Sequence, residues 1–293
     1  MPSYNYKNSI KSDKSDERIN VYLQRPIAGL IVRALYLTPV TPNHLTLVSI
    51  LFGVVGGVLL ATPDSRLAIP GICFYLKDIF DSADGQLARA KQQFSRRGRF
   101  LDSIGDFIVD LFLFGGICLF LYRGGVSLFI SLLIGFAGFL GVSLRVSYHV
   151  FYQTSYLHYE NKYQTNRISE ELQKQDYLED RTTLWLHRFF LFLYGWQDRL
   201  MFRLDAWCFN GKNREHGMTP AAWYQDGKAL RLSGLLGFGT EYVVLTACLL
   251  FGSVSAYLFF TLIAFNGVWI CSILYRKFYL SRKDLLGNSG VDV

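Results

Sequence analysis

Apolar positions along the chain gather into long runs separated by short polar breaks, a pattern that predicts an all-α, polytopic membrane protein. Residues 44–61 (HLTLVSILFGVVGGVLLA) carry no permanent charge and approach the length of about 20 residues that a bilayer demands of a crossing helix. Gly53, Gly56 and Gly57 within this run permit close contact with a neighbouring helix. A second helix is predicted from near residue 67 to past residue 88, a third over 98–122 and a fourth over 127–148. The fifth and sixth are predicted over 233–251 and 254–275. Ahead of these six transmembrane helices, residues 18–37 mix Arg18, Arg25 and Arg33 into apolar sequence, which suits an N-terminal helix lying in the membrane interface.

The pattern divides the chain into four segments. Residues 1–43 form an N-terminal cytoplasmic or interfacial segment, and 44–155 hold helices one to four. Residues 156–230 form a long cytoplasmic or interfacial insertion, and 231–293 hold helices five and six with a basic tail. The insertion is charged at first and then aromatic (LWLHRFFLFLYGWQDRLMFRLDAWCF). A seventh span there would be interrupted by His187 and Arg188, and an odd count would carry the basic tail across the membrane, so an interfacial helix is expected instead. Of all the Lys and Arg, the breaks at 61–66, 123–126 and 251–254 contain only Arg66 and Arg123. By the positive-inside rule both termini and the loop between helices two and three then face the cytoplasm.

Composition agrees with this pattern: 51% of the 293 residues are hydrophobic and only 18% are charged. The formal net charge of +7 comes mainly from bases beside apolar runs, where anionic lipid headgroups meet them, so nucleic acid is not an expected partner. The five cysteines are scattered and odd in number, which implies packing residues and no disulfide framework. Residues 1–20 are polar and lack the apolar core of a secretory signal, so the first spanning helix is expected to target the protein.

Candidate chemistry concentrates in residues 81–110, DSADGQLARAKQQFSRRGRFLDSIGDFIVD. On a helix, Asp81, Asp84, Gly85 and Ala88 share one face at i, i+3, i+4 and i+7, and Gly98, Asp102 and Asp106 share one face of the next. A short loop makes the two helices antiparallel neighbours. Four carboxylates converging at a membrane edge repel one another unless a cation neutralises them, and an all-oxygen set suits Mg²⁺, Mn²⁺ or Ca²⁺ better than zinc. The small residues leave room for a bulky phosphorylated ligand, and Arg89 offers a cation to its oxygens. For any single aspartate, capping a helix end or pairing with Lys77, Arg89, Arg96, Arg97 or Arg99 would be explanation enough; four at these spacings point to a site.

Taken together, Asp81, Asp84, Gly85, Ala88, Arg89, Gly98, Asp102 and Asp106 follow the pattern Asp-x2-Asp-Gly-x2-Ala-Arg-x8-Gly-x3-Asp-x3-Asp without departure. This resembles the signature of the CDP-alcohol phosphotransferases, and Thr41-Pro42-Asn43-His44-Leu45-Thr46 is similar to the opening of that family's first span. The resemblance is tightest over residues 38–122. It implies a homodimer embedded in membrane lipids, with a cytoplasm-facing cavity in which two Mg²⁺ or Mn²⁺ ions engage the pyrophosphate of a CDP-alcohol. It further implies that Asp81, Asp84 and Asp102 are metal ligands, that Asp106 ligates metal or deprotonates the acceptor hydroxyl, and that Gly85, Ala88, Arg89 and Gly98 shape the nucleotide pocket. The implied reaction moves a phosphatidyl or related phosphoalcohol group, with CDP-diacylglycerol the expected donor, to an alcohol acceptor with release of CMP.

Two other readings compete. A divalent-cation transporter would place acids near mid-membrane in several helices, and a silent scaffold would have lost a signature position; neither fits the sequence. Several residues stay open: Asp78 and Asp110 either support the site or bond helix to helix, Lys77 either pairs with Asp81 or meets phosphate, and Arg145 either binds an acceptor's phosphate or pairs with an acid. Asn43 is read as a helix cap, with ligand contact as the alternative. The acceptor itself is not identified, and the histidines show no metal-ligand spacing.

Overall fold

The computed structural model describes residues 6, 16–63, 66–160, 169–209 and 218–280. Tail residues Arg282 and Lys283, most of the first fifteen residues and part of the insertion lie outside the described residues. All described elements are helical.

A π-helical turn, Asn20–Gln24, leads into α1 (Arg25–Leu35), the amphipathic helix expected from the sequence. α2 (Pro42–Ala61) opens with Pro42 at its first turn, where the missing N–H costs nothing. Thr41 is the N-cap and its own N–H donates to His44 Nδ1 at 3.2 Å, so Asn43 is not the cap that the sequence reading made it. α3 (Ala68–Lys91) ends where Gln92 takes a left-handed conformation, φ 53°, and Gln93 N–H reaches back to the Ala88 carbonyl at 2.9 Å. Ser95 then caps α4 (Arg96–Arg123) by accepting from Gly98 N–H at 2.9 Å. Two adjacent caps turn the chain back within a few residues and set α3 and α4 antiparallel.

α2 threads closely between them. A Cβ on Gly57 would stand 2.5 Å from the backbone of Phe112, and one on Gly116 would stand 2.5 Å from the Gly57 carbonyl oxygen. Only glycine lets the α2 and α4 backbones meet so closely. α5 (Leu128–Tyr159) runs eleven residues beyond the predicted end of the fourth helix, to Tyr159, and most of that extension is buried.

Within the insertion, a 3₁₀ turn at Lys174–Leu178 precedes α6 (Arg181–Cys208), whose N-cap Asp180 accepts from Thr182 and Thr183 N–H, each at 3.1 Å. Short helices α7 (Pro220–Gln225) and α8 (Gly227–Ser233) follow. The predicted fifth helix is broken: Gly237 is extended, and α9 (Phe238–Leu250) leaves the segment before it at 45°. The break has a cause far away in sequence. Glu17 seats its carboxylate on the start of α9, accepting from Gly239 N–H at 3.2 Å, Thr240 N–H at 2.7 Å and the Thr240 hydroxyl at 2.9 Å. The last helix, α10, is continuous over Val254–Tyr279 with two π-helical turns.

Four of these helices, α2, α4, α5 and α10, are long and apolar enough to cross a membrane, and five if the bent pair counts as one span. α3 has the length at 24 residues but carries Lys77, Asp78, Asp81, Asp84, Arg89 and Lys91. The apolar core lies among α2, α3, α4, α5 and α9, with Leu60, Phe74, Val109, Leu113, Val142, Leu245 and Leu249 buried together.

Candidate functional site

The facing stripes of α3 and α4 do meet. Carboxylate oxygens of Asp81, Asp102 and Asp106 all lie within 4.8 Å of one another. Asp84 stands in the same region and accepts from the Thr46 hydroxyl of α2, a partner the sequence reading missed. Its only sequence signal was the second threonine of Thr41-Pro42-Asn43-His44-Leu45-Thr46. Asp84, Asp102 and Asp106 line a cavity of about 710 Å³, together with Asn43, Gly85, Ala88, Arg89 and Gly98. All four residues assigned to a nucleotide pocket thus share one cavity with three of the four acids. Gly98 belongs where it is because a Cβ there would come within 2.8 Å of Asn43 Oδ1.

Among the described residues, the buried cation between these acids is Lys77. Its Nζ lies 2.5 Å from Asp106 Oδ1 and 3.4 Å from Asp81 Oδ1, over the ring of Tyr242 at 4.7 Å. One ammonium serves two carboxylates, and the acids still exceed it. Asp102 Oδ1 is buried without a hydrogen-bond partner among the described residues. A buried carboxylate oxygen left so is costly. A hard divalent cation ligated by oxygen would satisfy it, so the donor set fits Mg²⁺ or Mn²⁺.

Asp78 accepts from Gln24 Nε2 and Asp110 from the Tyr242 hydroxyl at 3.0 Å, so both bond the motif helices to their neighbours. Arg145 does not reach the cavity: it is fully buried and meets Glu241 at 2.9 Å, the Thr261 carbonyl at 2.7 Å and Asn266 at 2.8 Å. Pairing with an acid is therefore its role.

The insertion contributes directly to the site. Arg96 pairs with Asp176, with Glu179 at 2.7 Å and with Glu170 at 3.4 Å, while Arg99 pairs with Glu170 at 2.6 Å. His187 stacks on Phe100 with ring centroids 4.6 Å apart and bonds the Glu170 carbonyl through Nε2 at 2.7 Å. These contacts hold the insertion against the first turns of α4. Glu170, Tyr194 and Asp198 then form part of the cavity wall. The Asp198 carboxyl is pushed up to about 6, first by burial and then by Glu170, against the pull of Arg99 and Arg199. Sequence reasoning missed this wall because nothing local links residues 170–198 to residues 96–106.

Comparison with known proteins adds three findings. The family profile described as CDP-alcohol phosphatidyltransferase matches residues 39–167. Proteins named "Bifunctional IPC transferase and DIPP synthase" from Thermococcus kodakarensis and Archaeoglobus fulgidus are 37% and 36% identical over 32% and 36% of this chain. The match spans about a fifth of the length of those two relatives, 21% and 20%. "Inner membrane protein YnbA" of Escherichia coli is 31% identical over 43% of this chain and 68% of its own length.

Proposed function

The chain belongs to the CDP-alcohol phosphatidyltransferase family, and we propose that it transfers a phosphatidyl or related phosphoalcohol group from a CDP-alcohol to an alcohol acceptor, releasing CMP. CDP-diacylglycerol is the proposed donor. The observation that carries the reading is the convergence of Asp81, Asp102 and Asp106 within 4.8 Å, beside a cavity large enough for a nucleotide.

In this reading Asp81, Asp84 and Asp102 would hold two Mg²⁺ or Mn²⁺ ions, which when bound spread the charge that develops on the transferred group and on CMP, and Asp106 acts as the base rather than as a ligand. The chain's own residues do the rest. Gly85, Ala88 and Gly98 leave space for the nucleotide, and Arg89 faces its phosphate oxygens. Asp106 Oδ1 is held by Lys77, which leaves Oδ2 to take the proton of the acceptor hydroxyl. The acceptor's hydroxyl oxygen then forms the new bond to phosphorus as the bond from phosphorus to the CMP oxygen breaks. A site at one end of the bundle lets acyl chains stay in lipid while nucleotide arrives from water. The basic segments beside the site support a cytoplasmic orientation, with α3 as the sixth span, the insertion on the same side and a homodimer as the working assembly. The motif acids lie on α3 and α4 at one end of the bundle, which does not favour a cation transporter.

The test is CMP release from CDP-diacylglycerol by purified protein with Mg²⁺ and a panel of alcohols. Asp106→Asn should lower the rate at least about 100-fold, within the range for loss of a general base. An unimpaired rate in that variant would remove Asp106 from the reaction.

A further inference from the structure

The part of the cavity wall built by α5 and α6 has a chemistry of its own. Gln197 is 1% exposed and wedged between two serines of α5: the Ser147 hydroxyl donates to Gln197 Oε1, and Gln197 Nε2 donates to Ser143 Oγ at 2.8 Å. This fixes what each serine shows the cavity. Ser147 has spent its proton and offers lone pairs, while Ser143 keeps a proton to give. Asp198 adds an acceptor-rich carboxylate on the same wall, and Gln153 and Thr154 add further polar groups.

Arg99, a cation that acts on Asp198, is itself paired with Glu170 at 2.6 Å. Among the described residues, α5 and α6 contribute no Lys, Arg or His to the cavity wall. Arg145 of α5 is turned into the Glu241 pair. The three arginines on the wall, Arg89, Arg96 and Arg99, come from the last turn of α3 and the first turn of α4, and the latter two pair with Glu170, Asp176 and Glu179. A phosphate monoester is a doubly charged, acceptor-only group. It would set its oxygens against Asp198 and against the lone pairs of Ser147. A polyol offers paired donors and acceptors and satisfies both serines and the carboxylate together.

We propose that Ser143, Ser147 and Asp198, braced by Gln197, form the acceptor subsite and select an uncharged polyol over its phosphorylated counterpart. The inference rests on the transferase reading and names the substrate class for the other half of that site. Ser143, Ser147 and Asp198 touch the acceptor in this assignment; Gln197 is a positioning residue that sets the hydroxyl directions.

The experiment uses the full chain in lipid nanodiscs with CDP-diacylglycerol and Mg²⁺, and measures CMP release with matched acceptors: myo-inositol against inositol 1-phosphate, and glycerol against glycerol 3-phosphate, with serine and ethanolamine as amino alcohols. The expected result is a kcat/KM at least about tenfold higher for the unphosphorylated member of one pair than for its partner or for either amino alcohol. Asp198→Asn should shrink that ratio at least about tenfold, mainly through KM, because it removes the charge and keeps the shape. Ser147→Ala should raise KM for the polyol with little change in kcat, and Gln197→Glu should weaken the polyol while Gln197→Met, which cannot orient the serines, weakens it further. Preference for a phosphorylated acceptor or an amino alcohol, or a ratio untouched in both Asp198→Asn and Ser147→Ala, would overturn the assignment while leaving the transferase reading intact. No CMP release with any acceptor would overturn both.

Discussion

Replacing Lys77 with methionine keeps most of the apolar stem and deletes the ammonium buried among the motif acids. Lys77 Nζ is 2.5 Å from Asp106 and 3.4 Å from Asp81, and the side chain is 1% exposed. Two opposite charges about 4 Å apart at an effective dielectric of about 20 attract by about 4 kcal/mol. Removing one partner of a buried pair costs about 3–5 kcal/mol, because the other charge is left uncompensated. The two figures agree on the scale of the loss. A protein of this size loses roughly 2–4 °C of melting temperature per kcal/mol, so Lys77→Met in chelator should melt about 10 °C lower than the unsubstituted chain. Divalent metal should reverse much of that loss, since it neutralises the same carboxylates, and should bind at least about tenfold more tightly once the competing ammonium is gone. The assay is thermal unfolding in detergent across a Mg²⁺ titration, with chelator as the zero point. An equal drop in melting temperature with and without Mg²⁺, or a weaker response to Mg²⁺ than in the unsubstituted chain, would refute the idea that Lys77 and metal share ligands.

Further outcomes follow from other contacts. Arg96→Ala removes the pairs with Glu170, Asp176 and Glu179 together, so it should cost about 3 kcal/mol and speed trypsin cleavage at Lys174; unchanged cleavage would mean the insertion is held by other contacts. Gly57→Val should destabilise by at least about 1–3 kcal/mol through overpacking, because a Cβ would already stand 2.5 Å from the Phe112 backbone, and an unchanged melting temperature would contradict the close approach. The Glu17 carboxyl is pushed up to about 7 from 4.5, chiefly by burial and then by Asp16. The folded state therefore holds this proton more tightly than the unfolded one, and the stability it adds is full at low pH and falls as pH rises from about 4.5 to about 7. Hydrogen exchange over residues 16–24, corrected for intrinsic rates, should lose protection across that window, and Glu17→Gln should flatten the slope; a slope that persists in Glu17→Gln would assign it to another group.

What was legible in the sequence was local. The helix period placed Asp81 and Asp84 on one face and Asp102 and Asp106 on another, and a break of a few residues left no choice but to bring those faces together. The same logic found the amphipathic α1 and predicted a helix in the aromatic part of the insertion, where α6 lies, because both depend on spacing within one helix. What stayed hidden was every contact made at long range. Glu17 breaks the fifth helix at Gly237 from more than two hundred residues away. Periodicity assigns Lys77 to Asp81, its neighbour one turn on, whereas the closer contact is to Asp106 on another helix. Arg145 is costly at membrane depth on any reading, but only the fold supplies Glu241 as its partner.

The same division bears on what family membership can carry. The matched region, residues 39–167, contains the whole aspartate motif and α5, yet it stops short of α6. Tyr194 and Asp198 line the cavity from α6, and Gln197 of α6 sets the hydroxyl directions of Ser143 and Ser147. The residues proposed for donor chemistry therefore lie inside the shared region, whereas one wall of the same cavity depends on a segment outside it. A relative that keeps the motif but lacks the counterpart of α6 would retain the carboxylates and lose this wall. Exchanging the insertion between two such proteins should then move acceptor preference while metal dependence stays with the recipient. If acceptor preference instead stayed with the recipient's motif helices, α6 would be a brace on α4 and no part of substrate selection.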